Sequence, residues 1–213
     1  MSCSGVILAG GAASRFGGLP KGLERVAGRR ILDRVASTLR EVTDDLLMIA
    51  NAPEADMWLP GVRVERDVRT GLGALGGLHA ALSHAQTDIL LVAWDMPFVS
   101  AALLGEMRRI GDGGLDARVE QEEFIESPDV VIPESDGSRR GVEPLCAWYS
   151  LRCLPAIERT LDAGDLRVVG FHELVHVQRL PLARVEDFGD PARLFSNVNT
   201  PSDLSALSGA ANE

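Results

Sequence analysis

Between positions 8 and 22 the chain reads Leu8-Ala9-Gly10-Gly11-Ala12-Ala13-Ser14-Arg15-Phe16-Gly17-Gly18-Leu19-Pro20-Lys21-Gly22, directly behind the apolar opening Val6-Ile7. Glycines lack a Cβ, so the backbone can take positive φ, and successive N–H groups can converge on phosphate oxygens. Arg15 and Lys21 add a guanidinium and an ammonium for a polyphosphate. A glycine-rich strand-to-helix connector with two solvated basic residues would explain the glycines alone. Their combination with Arg and Lys behind an opening strand favours phosphate binding. No Gly-Lys-Ser/Thr follows at the spacing of a P-loop, so this is a different phosphate loop.

Acidic and amide groups fall where such a loop needs them. Asp95 closes Ile89-Leu90-Leu91-Val92-Ala93, the most apolar run, at the carboxyl edge where open α/β sheets bind ligands. A carboxylate there suits Mg²⁺, which takes oxygen ligands and bridges protein to phosphate. Met96-Pro97 fixes the turn behind it. Asn51 and Asp67 follow two further candidate strands and can reach the same edge, although each is also an ordinary turn residue.

These positions require a parallel sheet. Val6–Ala9, Leu46–Ala50, a short strand through Val62 and Val64, and Ile89–Ala93 alternate with helical periodicities at Ile31, Leu32, Val35 and Leu39, then at Leu75, Leu78 and Leu82. That alternation predicts βαβ units, hence an α/β fold with a mostly parallel twisted sheet. Ala101 to Ile110 reads as a helix. The stretch from Gly111, rich in Gly, Asp and Glu and spanning 111–128, reads as a mobile acidic surface insertion. Strands are expected at Asp129–Pro133 and Leu145–Tyr149, a helix from Leu151 to about Ala163, and a last helix capped by Thr200-Pro201.

Bulk properties narrow the partners. With 31 acidic against 21 basic residues the formal charge is −10, which repels a phosphate polymer and argues against nucleic acid. No apolar run is long enough to span a membrane, and the N-terminus has no basic leader, so a cytoplasmic protein off the membrane is expected. Cys3, Cys146 and Cys153 are odd in number and form no Cys-x-x-Cys pair, so reduced thiols are expected.

Five segments together carry a family resemblance. The opening loop, Gly71 to Leu78, Trp94-Asp95-Met96-Pro97-Phe98-Val99, Glu143-Pro144-Leu145 and Asn197-Val198-Asn199-Thr200-Pro201-Ser202-Asp203-Leu204 resemble the molybdenum cofactor guanylyltransferases, the MobA family. The resemblance spreads over nearly the whole chain. It implies one three-layer, Rossmann-like nucleotidyltransferase domain over 1–213, a monomer or weak homo-oligomer. The implied reaction transfers GMP from Mg²⁺-bound GTP to molybdopterin, with pyrophosphate released. It places Leu8, Ala9, Gly10, Gly11, Arg15 and Lys21 in the nucleotide loop, Asp67 as a second GTP contact, Asp95 on magnesium, and Asn197 and Asn199 on the pterin side; Asn51, by its place after a strand, is a further GTP candidate. Arg15, Lys21 and Asp95 are the expected catalytic groups. Phe16, Ala74, Trp94 and Glu143 depart from the family pattern, and Glu143 bears on the acceptor side. Gly10-Gly11 resembles guanylyl-transferring members, whereas relatives that use CTP tend to read Ala-Gly there. Transfer from CTP, another phosphorylated acceptor, or nucleotide binding without turnover remain alternatives.

Two motifs point elsewhere. Gly71-Leu72-Gly73-Ala74-Leu75-Gly76 matches the dinucleotide fingerprint, but the polar run Glu65 to Thr70 separates it from a strand, so close helix packing or an approach to the base is preferred to an NAD site. His172-Glu173-Leu174-Val175-His176 matches the pattern of zinc peptidases, which needs a sustained helix. Pro181 follows too closely, and a short element with surface histidines is preferred.

Overall fold

The computed structural model describes residues 2–10, 20–114, 127–200 and 202–204. In chain order these form β1 (Cys3–Ala9), a hairpin of β2 (Arg25–Val26) and β3 (Arg29–Arg30), α1 (Ile31–Arg40), β4 (Asp45–Ala50), β5 (Arg63–Glu65), α2 (Gly73–Ala85), β6 (Asp88–Ala93) and α3 (Ala101–Gly111). There follow β7 (Val130–Pro133), β8 (Cys146–Tyr149), α4 (Leu154–Asp162), β9 (Val177–Leu180) and the short helices α5 (Leu182–Glu186) and α6 (Pro191–Leu194). The main sheet has the order β5-β4-β1-β6-β8-β7-β9. Its pairs are parallel except those of β8, which runs against both β6 and β7.

Both faces of the sheet are covered, and this explains why its strands are continuous apolar runs and not alternating ones. Val6, Leu8, Ile49, Ile89 and Leu91 point to one face, against Leu75 and Leu78 of α2 and Ile157 and Leu161 of α4. Ile7, Met48, Leu90 and Val92 point to the other, against Ile31 and Val35 of α1 and Leu103 and Met107 of α3. Each large aliphatic side chain sealed this way stabilises the fold by about 1.5–3 kcal/mol relative to exposure. The expected α/β architecture with its mostly parallel sheet is therefore present. All three cysteines are buried free thiols.

The structure departs from the sequence reading in several places. Gly111 is not the start of the insertion; it is the last residue of α3 and is buried. A Cβ there would lie 2.4 Å from the Trp148 indole, so only glycine lets the helix end close on that ring. Residues 115–126, the bulk of the acidic segment, lie outside the described residues. The hairpin β2–β3 and the edge strand β9 carry too few apolar residues to announce themselves. The expected helix from Leu151 begins as one tight turn, Leu151–Cys153, before α4.

The histidine motif forms no sustained helix, as expected, but its histidines are not both at the surface. His172–Leu174 is a single tight turn, and Val175 is already extended at φ −142°. His172 turns inward onto Phe171 with ring centroids 4.9 Å apart, whereas the His176 backbone N–H donates to Asp129 Oδ2 at 3.0 Å. Among the described residues no three His, Cys, Asp or Glu side chains gather as metal ligands. Burial pushes the His172 pKa down to about 4 from 6.5, helped by Arg179 and Arg140. Stability carried by the neutral ring is thus complete above pH 6.5 and drains away as pH falls toward 4. The expected loss is about 1–3 kcal/mol, measurable as a fall in the urea midpoint from neutral to acid pH. His172→Phe should flatten that dependence, and an unaltered pH slope in the variant would contradict this account.

Candidate active site

The carboxyl ends of β1, β4, β5 and β6 open into one cleft of about 450 Å³. From β1 the chain crosses to β4 on one side, and β6 returns on the other, so the cleft sits where the strand order reverses, the usual ligand crevice of such sheets. Leu8, Ala9 and Gly10 line it from β1, Asn51 from β4, Asp67 from the loop after β5, and Trp94 and Asp95 from β6. Its volume is within the range of small-molecule sites.

Charge is concentrated at one point. The Lys21 ammonium is ion-paired with Asp95 Oδ2 and donates to Asn199 Oδ1 at 3.0 Å. Both ionic side chains are largely shielded, at 15% and 12% exposure, so their attraction is stronger than that of a surface pair. Lys21 is the only lysine in the chain, every other basic side chain apart from histidine being arginine. An ammonium is a compact charge with three donors, and it fits between a carboxylate and an amide where a planar guanidinium would not. Gly22, next to it, would place a Cβ 2.4 Å from the Trp94 indole. Trp94 in turn stacks on Trp58 with centroids 5.2 Å apart. The large residue before Asp95 is accommodated by a glycine and a second tryptophan.

A second group is held by reciprocal bonds. Asn51 Nδ2 donates to Asp67 Oδ2 at 2.7 Å, and the Asp67 N–H donates to Asn51 Oδ1 at 3.0 Å. Neither bond uses the second carboxylate oxygen of Asp67. Opposite, α2 closes on β1: a Cβ at Gly77 would meet Leu8 Cδ1 at 2.5 Å. The Gly71-x-Gly fingerprint takes no part in this approach, since a Cβ at Gly71 or Gly73 would meet nothing within 4 Å. Gly71 and Gly73 take φ of +79° and +62° to start α2 beside the cleft, and they follow the edge strand β5 instead of opening the βαβ unit of β1.

Most sequence candidates thus meet at one place: Leu8, Ala9, Gly10, Lys21, Asn51, Asp67 and Asp95 line the cleft. Asn199 joins them through Lys21, whereas the Asn197 amide is turned to the Phe195 carbonyl at 3.2 Å. Gly11 and Arg15 lie outside the described residues. Sequence reasoning assigned no role to Gly77 or Trp94, or to a neighbouring pocket of about 620 Å³ that shares Ala74 with the α2 wall and holds Arg139, Arg140 and Arg167. An adjacent Arg-Arg pair in an acidic chain was the available signal for that pocket. Beside it, burial raises the pKa of Glu143. A wider groove of about 740 Å³ lies at the opposite edge of the sheet, and its Arg152 is already committed to Asp129 at 2.8 Å.

Comparison with known proteins agrees with this geometry. The MobA-like NTP transferase domain matches residues 5–177. The chain belongs to that family. It is 33% identical over 202 residues to the molybdenum cofactor guanylyltransferase of Desulfosudis oleivorans, covering 94% of this chain and 92% of the relative. The protein of the same name from Vibrio vulnificus is 30% identical, with 94% and 92% covered. The crystal structure of molybdopterin-guanine dinucleotide biosynthesis protein A from Archaeoglobus fulgidus superposes with a TM-score of 0.77 at 23% identity, covering 98% of each chain, and so shares the fold. As a MobA-like NTP transferase, the chain is an enzyme of the nucleotidyltransferase class.

Proposed function

We propose that this enzyme transfers GMP from GTP to molybdopterin, releasing pyrophosphate, as a step of molybdenum cofactor biosynthesis. The observation that carries the reading is the meeting of Lys21, Asp95 and the β1 terminus at the point of strand reversal, in a chain aligned nearly end to end with proteins named for that activity. In the reaction, an oxygen of the acceptor's terminal phosphate attacks the α-phosphorus of GTP. The bond to the bridging oxygen breaks, and pyrophosphate leaves with the electron pair.

The enzyme's own groups then act by positioning and by charge. Gly10 lets the backbone approach the phosphates, and Lys21 exchanges Asp95 for phosphate oxygens while Asn199 keeps it aimed. The free oxygen of Asp67, whose carboxylate Asn51 holds still, accepts from the nucleoside. Arg139 and Arg140 offer the neighbouring pocket the positive charge that an anionic acceptor requires, whereas Arg167 there is ion-paired with Asp165 at 2.6 Å.

The groups that meet at Lys21, the Asp95 carboxylate and the Asn199 amide oxygen, are hard oxygen ligands that fit Mg²⁺ and not a soft metal. When bound to Asp95, Mg²⁺ would neutralise charge that develops on the phosphates. Lys21 must leave the carboxylate for it to act as a ligand, so nucleotide and cation should bind together. Calorimetry with GTP, CTP and ATP, with and without Mg²⁺, tests the reading. Magnesium-dependent binding of GTP above the other two supports it, and preference for CTP would keep the reaction class and change the donor. An absence of nucleotide binding would overturn it.

A further inference from the structure

A segment distant in sequence reaches the lysine and the carboxylate that line the cleft. Val198, fully buried, donates its backbone N–H to the Asp95 carbonyl at 3.0 Å, which fixes this segment to the strand end that carries the carboxylate. The next residue, Asn199, offers its Oδ1 to Lys21. What holds Asn199 is Asp203. Its Oδ2 accepts the backbone N–H of Asn199 at 2.9 Å and that of Thr200 at 2.8 Å, and its own N–H donates to Thr200 Oγ1 at 3.2 Å. Such a reciprocal box at a helix start fixes the preceding residues. These bonds hold the Asp203 carboxyl below the usual range, so it is an anion at neutral pH.

We infer that Asp203 is a positioning residue that fixes Asn199 and, through its side-chain oxygen, the direction in which the Lys21 ammonium points in the cleft. Asp203 touches neither Lys21 nor Asp95; it acts through one amide. The alternative, a cap whose only effect is to keep the last described helical turn folded, would loosen the segment as a whole and would not be routed through the Asn199 side chain.

The role of Lys21 in catalysis rests on the proposed function, but its placement does not, and the test reads placement first. Lys21 is the only side-chain amine, so acylation of the ligand-free protein by an N-hydroxysuccinimide ester, followed by mass spectrometry, reports on it directly, with the α-amino group as internal reference. Asn199→Ala and Asp203→Ala are each expected to speed Lys21 labelling about fivefold, the factor lost with one net hydrogen bond. The double variant should be no faster than either single one, because both remove the same link. Asp203→Asn, which keeps a carbonyl acceptor, should stay within about twofold of the wild type. Labelling of Asp203→Ala at the wild-type rate, or a double variant near the product of the singles, would overturn the inference. Magnesium-dependent GTP binding by the same variants, measured separately, should weaken in the same order; loss of that binding in the wild type would strike the proposed function and leave the labelling result intact.

Discussion

Asp95→Asn is expected to lower transfer by about three orders of magnitude while the protein stays folded. The amide keeps the shape of the carboxylate but removes the charge that now faces Lys21 and that would hold a divalent cation. Asp95 lies at the end of β6, where its backbone is fixed by the Val198 N–H on its carbonyl and its neighbour Trp94 by the Leu8 carbonyl at 3.2 Å. The substitution therefore has little reason to move the strand. Steady-state rates over a magnesium titration, with circular dichroism as the control, decide the matter. A variant with the wild-type magnesium response would remove Asp95 from the mechanism.

Lys21→Ala should have an effect of similar size, about 10²–10³ in kcat/KM, through loss of phosphate stabilisation. The more informative change is Lys21→Arg. In a chain that uses arginine everywhere else, a simple need for positive charge would be met by a guanidinium, and the variant would then keep most of its activity. The space between Asp95, Asn199 and the Gly22–Trp94 contact argues otherwise. The guanidinium is planar and bulkier, and it would displace either Asn199 or the Trp94 ring. A loss of about 10²-fold in kcat/KM is expected, with nucleotide binding less affected than turnover. Retention of near wild-type kcat by Lys21→Arg would show that charge alone is needed.

What was readable in the sequence follows from physics at short range. Strands buried on both faces are written as apolar runs, so β1, β4 and β6 and the residues at their ends, Asn51 and Asp95, fall out of the pattern with small shifts at the boundaries. The parallel sheet then puts those ends on one edge. What the sequence concealed depends on contacts between distant residues. Gly111 reads as loop by composition, yet it is the point where α3 meets Trp148. The tie between Asn199 and Lys21 spans almost the whole chain, and no local periodicity encodes it. That the histidine motif lies on no sustained helix was readable from Pro181, whereas the inward turn of His172 onto Phe171 is a tertiary choice that composition did not show. Trp94 stood out as a departure from the family pattern, and its explanation, Gly22 and Trp58, became visible only in three dimensions.

The reversed strand β8 has a consequence for how this fold can vary. Since β7 runs parallel to β6, both Gly114, just beyond α3, and Ser127, ahead of β7, lie toward the amino edge of the sheet, where Arg152 clasps the Ser127 and Pro128 carbonyls at 3.0 and 3.1 Å. That edge is separated from the ligand cleft by the length of the strands, about 20 Å for six residues. The two anchors therefore lie farther from the ligand edge than the screening length of physiological salt. A reporter domain fused between the two anchors is expected to leave the ligand edge undisturbed.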